Sequence, residues 1–198
     1  MKPAVMGTRR GLLPSDPGSR RAVFLDRDGT LVEDRQYIGR PEDVVLLPGA
    51  AEAVKRLNDA GVLAVVVTNQ SGIARGLYGE REYEAVRRRL DELLEARGAR
   101  LDATYTCPHH PDFTGPCECR KPGRKLFEQA IEELGVDAAR SWAVGDKWRD
   151  IAPVVELGGR GILVARFDTA LEDLMRAGER AVVATTLGAA VERVLRSD

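Results

Sequence analysis

The sequence lacks an excess of charge, a long apolar run and most of the aromatic residues that a nucleic-acid surface needs. Its 198 residues include 30 basic and 31 acidic side chains, and only 5% are aromatic. Because nucleic acids are bound through positive charge and aromatic stacking, this composition argues against such a partner. No apolar run approaches the roughly 20 residues that a membrane span requires. We expect neither nucleic acid nor a membrane as the main partner.

The amino terminus also lacks the continuous apolar segment of a secretory signal, so the simplest location is the cytoplasm. Residues 1–21 hold five basic side chains, one acidic side chain, three prolines and three glycines. This composition is typical of a flexible extension. Residues 22–198 are expected to form a single domain, since 43% hydrophobic content is enough for a core. No apolar stripe demands a partner, and a monomer is expected.

Short apolar strands alternate with amphipathic helices along this domain. The predicted strands are 22–25, 62–67, 101–106, 141–144, 161–165 and 181–185, and the predicted helices are 50–60, 79–98, 122–134, 147–158 and one near the carboxyl terminus. Such alternation predicts an α/β fold, a Rossmann-like, doubly wound parallel sheet with helices on both faces. Ligands bind beyond the carboxyl ends of the strands in such sheets. Residues 31–48 show little periodicity and are expected to form a loop over that edge.

Two carboxylates follow the first apolar strand, at Asp26 and Asp28. Buried carboxylates are costly unless a cation or a reaction needs them. Asp26 is ionised at neutral pH and suits a nucleophile without a helper base. Asp28 is placed to protonate a leaving group and later to activate water. The alternative is an acidic strand-to-loop turn of the kind many α/β proteins contain.

Further polar groups at the ends of later strands fit a phosphoryl group and a cation. Thr68 offers a hydroxyl, the turn at 69–72 offers backbone N–H groups, and Lys121 offers a positive charge. Asp146 suits Mg²⁺ ligation together with Asp26 and the backbone oxygen of Asp28, and Asp150 suits orientation of metal-bound water. Taken singly, Thr68 and Asp146 are equally typical of helix caps, and Lys121 of a solvated surface cation.

These segments resemble the motifs of the haloacid dehalogenase superfamily of phosphatases. They read DRDGT at 26–30, TNQS at 68–71, CRKP around Lys121 and GDKWRD at 145–150. The resemblance covers roughly residues 22–165. It implies a phosphoaspartyl intermediate on the nucleophile, and Mg²⁺ held by Asp26, Asp28 and Asp146.

All three cysteines and both histidines lie within residues 107–119. Three thiolates and one imidazole make a closed tetrahedral set that suits a structural Zn²⁺. The ligands that fit the spacing are Cys107, His109, Cys117 and Cys119. The segment has few apolar residues, so metal binding is expected to fold it. Reduced cysteines in a polar loop are the alternative.

With this loop, the chain resembles the family of heptose 1,7-bisphosphate 7-phosphatases and the similar histidinol-phosphatases. The segments FLDRDGTLV, TNQSGIARG, CPHHP and CECRKPG carry the resemblance. That family has no large cap domain. The resemblance implies that substrate is bound by Asp34, Arg35, Gln36, Tyr37, Thr68, Asn69, Gln70, Ser71, Arg120, Lys121 and Lys147. Gln36 departs from the glycine often found at its position in the family.

The expected substrate is a small phosphorylated sugar, heptose 1,7-bisphosphate, hydrolysed at its 7-phosphate. The Tyr37-Ile38 pair and the IARG segment are more similar to the heptose branch, and Arg120 and Arg75 leave room for a second anionic group. Histidinol phosphate or another small sugar phosphate is the alternative. A phosphatase acting on nucleic-acid ends and a non-catalytic zinc module are rivals from other classes.

Overall fold

A seven-stranded sheet organises the described residues of the computed structural model, which are 6–9 and 18–197. The strands are β1 (Met6–Arg9), β2 (Ala22–Leu25), β3 (Leu63–Asn69), β4 (Ala103–Cys107), β5 (Trp142–Gly145), β6 (Arg160–Val164) and β7 (Val182–Ala184). Their order across the sheet is β1-β4-β3-β2-β5-β6-β7. The strands from β2 to β7 pair in parallel, and β1 pairs antiparallel with β4. This arrangement confirms the predicted parallel α/β fold.

Helices cover both faces of the sheet. They are α1 (Ala50–Asp59), α2 (Glu80–Glu95), α3 (Pro111–Thr114), α4 (Lys125–Leu134), α5 (Trp148–Glu156), α6 (Leu171–Arg180) and α7 (Leu187–Leu195). Alternate residues of a strand point to opposite faces. Val23 and Leu25 therefore join one core with α1, α2 and α7, and Phe24 joins the other with α4 and α5. Burial on both faces explains why the central strands are continuously apolar.

Three of these elements do not appear in the sequence-based prediction: the single turn of α3, helix α6 and strand β1. Helix α6 buries fully only Ala177, while Leu171 and Met175 are exposed, so its apolar residues give no continuous core-facing pattern. Strand β1 lies inside the segment predicted to be a flexible extension. Its backbone occupies the outer edge of β4, which would otherwise present unpaired N–H and C=O groups.

The predicted extension, residues 1–21, is therefore described only in part. Residues 1–5 and 10–17 lie outside the described residues. Next to the domain, the backbone of Arg20 donates to Gly135 and accepts from Asp137. Of the parts that the structure describes, β1 therefore belongs to the sheet, and Arg20 contacts the segment that follows α4.

The carboxyl ends of β2, β3, β4 and β5 meet at one edge of the sheet. Asp26 directly follows β2, and its backbone N–H donates to Val144 at 3.0 Å. Asn69 and Cys107 end neighbouring strands, and Asp146 follows β5. The loop at 31–48 contains one short 3₁₀ turn, Pro41–Asp43, and leans toward this edge. Among the described helices, none has the length and apolarity that a membrane span needs.

Candidate active site

Asp26 and Lys121 form a buried ion pair at this edge. The Lys121 ammonium donates to Asp26 Oδ1 at 2.6 Å and to the Val67 carbonyl at 2.7 Å, and it lies 2.8 Å from Asp150 Oδ1. The ammonium is thus shared between two carboxylates and a strand carbonyl. Lys121 is 2% exposed, which contradicts the alternative of a solvated surface cation.

Burial decides the protonation behaviour of this pair. Desolvation raises the pKa of Asp26 to about 7, against the opposing attraction of Lys121. Burial disfavours the charge of Lys121 as well, but the carboxylates of Asp150 and Asp26 more than compensate and raise its pKa. The ammonium is therefore charged at neutral pH, and it favours the ionised form of Asp26 that a nucleophile requires.

Three carboxylates converge where a divalent cation was expected. Oxygen atoms of Asp26, Asp146 and Asp150 lie within 4.8 Å of one another, and ligand oxygens around Mg²⁺ stand about 3–4 Å apart. Asp146 Oδ1 is buried, and it has no hydrogen-bond partner among the described residues. Burial and the nearby Asp150 raise the pKa of Asp146. These groups fit a hard cation, which would supply the missing countercharge.

Asp28 is not part of this carboxylate cluster, and its side chain contacts Arg27 and Gln70 instead. Its oxygens accept from Arg27 Nη2 at 2.8 Å and from Gln70 Nε2 at 2.8 Å. Gln70 Nε2 also donates to Thr68 Oγ1 at 2.9 Å. A contribution of Asp28 to the cation site would therefore come from its backbone oxygen. The carboxylate itself lines the open cavity, where an acid or base must meet substrate and water.

Asn69 fixes the position of Lys121 from the neighbouring strand. Its side chain accepts from the Lys121 backbone N–H at 3.0 Å and donates to the Lys121 carbonyl at 3.2 Å. This double contact joins the end of β3 to a residue 52 positions later in the chain. The sequence predicts only backbone N–H groups as donors at this turn. The structure shows in addition that the Asn69 side chain holds the Lys121 backbone in place.

A cavity of about 450 Å³ opens above these groups. Its lining residues are Arg27, Asp28, Asp34, Gln36, Tyr37, Asn69, Gln70, Ser71, Arg75, Tyr78, His110, Arg120 and Arg149. Most of the predicted substrate-binding residues are therefore brought together. Arg35 is not among them and pairs with Glu33 at 2.8 Å on the exposed loop. Lys147 sits beside the cavity, 3.2 Å from Asp146 and 3.9 Å from Asp34.

The four predicted zinc ligands converge beside the cavity. The Sγ or Nδ1 atoms of Cys107, His109, Cys117 and Cys119 all lie within 4.8 Å of one another. Four of these separations lie between 3.1 Å, for His109–Cys119, and 3.8 Å, for Cys107–Cys117. Ligand atoms of a tetrahedral zinc stand about 3.3–3.8 Å apart, so this cluster can hold the metal. All three cysteines are free of disulfides.

Tyr78 is a site residue that the sequence analysis did not identify. Its ring packs so closely on Gly39 and Gly72 that a Cβ at either glycine would lie 2.9 Å or 2.3 Å from a ring atom. Its hydroxyl donates to Gln70 Oε1 at 2.8 Å, which orients the Gln70 amide toward Asp28. Gly72 in the GIARG segment and Gly39 in the IGR segment are the sequence signal that could have indicated a buried ring nearby.

Comparisons with known proteins agree with this geometry. A family model described as HAD-hydrolase-like matches residues 118–190, and one described as polynucleotide kinase 3 phosphatase matches residues 21–150. The D-glycero-beta-D-manno-heptose-1,7-bisphosphate 7-phosphatase of Haemophilus ducreyi is 41% identical over 157 residues, 77% of this chain and 86% of that protein. The protein of the same name from Yersinia pestis is 43% identical over 66% of this chain and 72% of its own length.

A solved structure extends the similarity to the whole fold. The D,D-heptose 1,7-bisphosphate phosphatase of B. bronchiseptica, complexed with magnesium and phosphate, superposes with a TM-score of 0.79 at 32% identity. The match covers 90% of this chain and 99% of that one.

Proposed function

Since the chain belongs to the haloacid dehalogenase-like hydrolases, in the family of the heptose 1,7-bisphosphate 7-phosphatases, we propose that it hydrolyses the 7-phosphate of D-glycero-D-manno-heptose 1,7-bisphosphate. The buried Asp26–Lys121 pair carries this proposal, because it places a nucleophilic carboxylate two residues before Asp28, which lines a cavity together with four arginines. The relatives' names specify the β anomer, and we expect the same preference here.

In the first step, Asp26 Oδ attacks the phosphorus of the 7-phosphate, and the bond from phosphorus to the sugar oxygen breaks. Asp28, in its protonated form, gives its proton to the departing sugar oxygen. The Thr68 hydroxyl, the Lys121 ammonium and the backbone N–H groups of the 69–72 turn stabilise the negative charge of the transferring group, except the N–H of Gln70, which donates to the Cys107 carbonyl. The sugar leaves with its 1-phosphate, and the phosphoryl group stays on Asp26.

In the second step, water replaces the sugar. Asp28, now a carboxylate, takes a proton from the water as the water oxygen attacks the phosphorus. The bond from phosphorus to Asp26 breaks, and inorganic phosphate leaves. The contacts of Gln70 and Arg27 hold the Asp28 carboxylate at the cavity wall in this base form.

The two metal sites have separate roles in this proposal. Asp26, Asp146 and the backbone oxygen of Asp28 would hold Mg²⁺, with Asp150 adjacent, and the cation would offset the repulsion between carboxylate and phosphate. A structural Zn²⁺ would be held by Cys107, His109, Cys117 and Cys119. The last of these ligands precedes Lys121 by two residues.

Phosphate release in the presence of Mg²⁺ tests the function. We expect strong preference for β-heptose 1,7-bisphosphate over its α anomer and over histidinol phosphate, with heptose 1-phosphate as the product by ³¹P NMR. Asp26→Asn should lower kcat by at least about 10³-fold, while Asp59→Asn, an exposed carboxylate on α1, should not. Mg²⁺-dependent turnover by Asp26→Asn at more than a tenth of the wild-type rate would remove the nucleophile assignment.

A phosphatase for nucleic-acid ends is the second candidate, because one matching family model carries that description. An oligonucleotide with a 3′-phosphate belongs in the same assay. Faster turnover of the oligonucleotide than of every sugar phosphate would replace the proposed substrate and keep the catalytic residues. Preference for histidinol phosphate would likewise change the substrate alone.

A further inference from the structure

Arg75 is one of two arginines lining the cavity with which no carboxylate pairs in the described part of the chain. Arg27 is neutralised by Asp28, and Lys147 by Asp146. The Arg75 Nη2 atom instead lies 2.9 Å from His110 Nε2, and its Nε is buried with no hydrogen-bond partner among the described residues. His110 contributes no carboxylate, so this contact does not pair the guanidinium of Arg75 with a negative charge.

Arg75 is nevertheless held in a fixed place. Its Cζ lies 5.0 Å from the ring centroid of Phe113 and 5.6 Å from that of Tyr37. Phe113 and His110 belong to the zinc-ligand segment, whereas Tyr37 belongs to the 31–48 loop. The guanidinium is therefore clamped between the two segments that form the cavity wall. A clamped arginine loses little conformational freedom when it binds an anion.

Arg120 adds a second cation of the same kind. Its Nη1 donates to the His109 carbonyl at 3.3 Å, and no carboxylate pairs with it within the described residues. Arg75 and Arg120 line the same cavity as Asp28. Two uncompensated guanidiniums in one cavity favour an anionic ligand. Phosphate offers acceptors in the spacing of the guanidinium donors, including the acceptor that Arg75 Nε lacks.

We propose that Arg75, clamped by His110, Phe113 and Tyr37, binds the second, non-reacting phosphate of the substrate and selects bisphosphates over monophosphates. This inference rests on the proposed function and deepens it. Arg75 touches the substrate far from the bond that breaks, so its contribution is made equally in the ground state and the transition state. Its loss should therefore raise KM and leave kcat nearly unchanged.

The test compares heptose 1,7-bisphosphate with heptose 7-phosphate, which lacks only the second phosphate. For Arg75→Met, we expect KM for the bisphosphate to rise about 10–100-fold and KM for the monophosphate to change less than about 3-fold. Arg75→Lys keeps the charge but loses the planar fork of the guanidinium. Its KM for the bisphosphate should lie between those of wild type and Arg75→Met. Arg89→Met, an exposed arginine of α2, is the matched control.

Unchanged activity on the monophosphate also shows that Arg75→Met is folded. An equal loss on both substrates would mean a structural role and would overturn the proposal. An unchanged KM for the bisphosphate would overturn it as well.

A binding measurement separates this proposal from the proposed function. Titration calorimetry with mannose 1-phosphate and with mannose needs no turnover. If the wild type hydrolyses neither heptose phosphate, the proposed function fails. If wild type binds mannose 1-phosphate but not mannose, and Arg75→Met binds neither, the anion subsite is still supported. If wild type and Arg75→Met bind mannose 1-phosphate equally well, the subsite is refuted.

Discussion

At the residue scale, the site depends on close approach between backbone and carboxylate. Gly29 adopts φ +84°, and a Cβ there would lie 2.7 Å from Asp146 Oδ2. Gly29 also closes the turn after Asp26, through its N–H to the Val32 carbonyl at 2.8 Å. A glycine is thus required twice at this position, for the left-handed backbone and for the space beside a proposed magnesium ligand.

Gly29→Ala should disturb the cation site, and Gly49→Ala is its matched control. Gly49 has a similar φ of +77° but nothing within 4 Å of its Cβ position. Both variants should lose about 1–2 kcal/mol of stability from the left-handed backbone. Only Gly29→Ala should also displace Asp146 and raise the Mg²⁺ concentration needed for half-maximal activity about 10-fold or more. Equal Mg²⁺ dependence of the two variants would argue against Asp146 as a ligand.

At the element scale, the segment from Cys107 to Lys121 links three parts of the site. It carries the proposed zinc ligands, it contributes His110 and Phe113 to the contacts around Arg75, and it ends at the buried ammonium of Lys121. Its only regular element is the single turn of α3. So short a helix is not stable by itself, so tertiary and metal contacts must order the segment.

Cys117→Ser should therefore lose zinc and loosen the whole segment. We expect zinc content by atomic absorption to fall from about one per chain to near zero, with faster proteolytic cleavage between residues 107 and 121. Phosphatase activity should fall with it, because Lys121 loses its support. Asp112→Asn, an exposed change within the same segment, should keep zinc and activity. Full zinc content in Cys117→Ser would contradict the ligand assignment.

At the scale of the whole molecule, the carboxyl edge of the sheet concentrates buried negative charge. Asp26, Asp146 and Asp150 converge there, with the buried ammonium of Lys121 beside Asp26 and Asp150 and the partly exposed ammonium of Lys147 beside Asp146. Without a cation, this edge opposes folding whenever the carboxylates are ionised. The two hydrophobic cores on either side of the sheet supply the stability that offsets this cost.

Global stability in magnesium-free buffer should consequently fall as pH rises. The ordinary pKa of Asp26 is 3.8, and burial raises it to about 7 in the fold. The folded state therefore retains a proton that the unfolded chain releases above about pH 4. The contribution of Asp26 to stability is therefore greatest below about pH 4 and declines until about pH 7.

Thermal melts of wild type and Asp26→Asn between pH 5 and 8 measure this effect. Asp26→Asn should lose less stability over that range and melt at least about 3 °C above wild type at pH 8. Adding Mg²⁺ should raise the Tm of wild type more than that of the variant. Parallel pH curves for the two proteins would show that Asp26 is ionised in the fold throughout.

The sequence by itself determined the parallel α/β fold, and it predicted the two carboxylates after β2 and the four Cys and His side chains of residues 107–119 that converge in the structure. These features are local, because apolar periodicity and ligand spacing are set by neighbours in the chain. Only the tertiary structure decided that the side chain of Asn69 holds the Lys121 backbone and that Asp150 lies beside the Lys121 ammonium. It also decided that Arg35 lies outside the cavity and that β1 pairs with the edge of the sheet. The same holds for Arg75, whose partners come from segments about 35 residues away on either side. Such contacts depend on how closely elements that are remote in the chain pack against one another. A local sequence pattern carries no information about that distance.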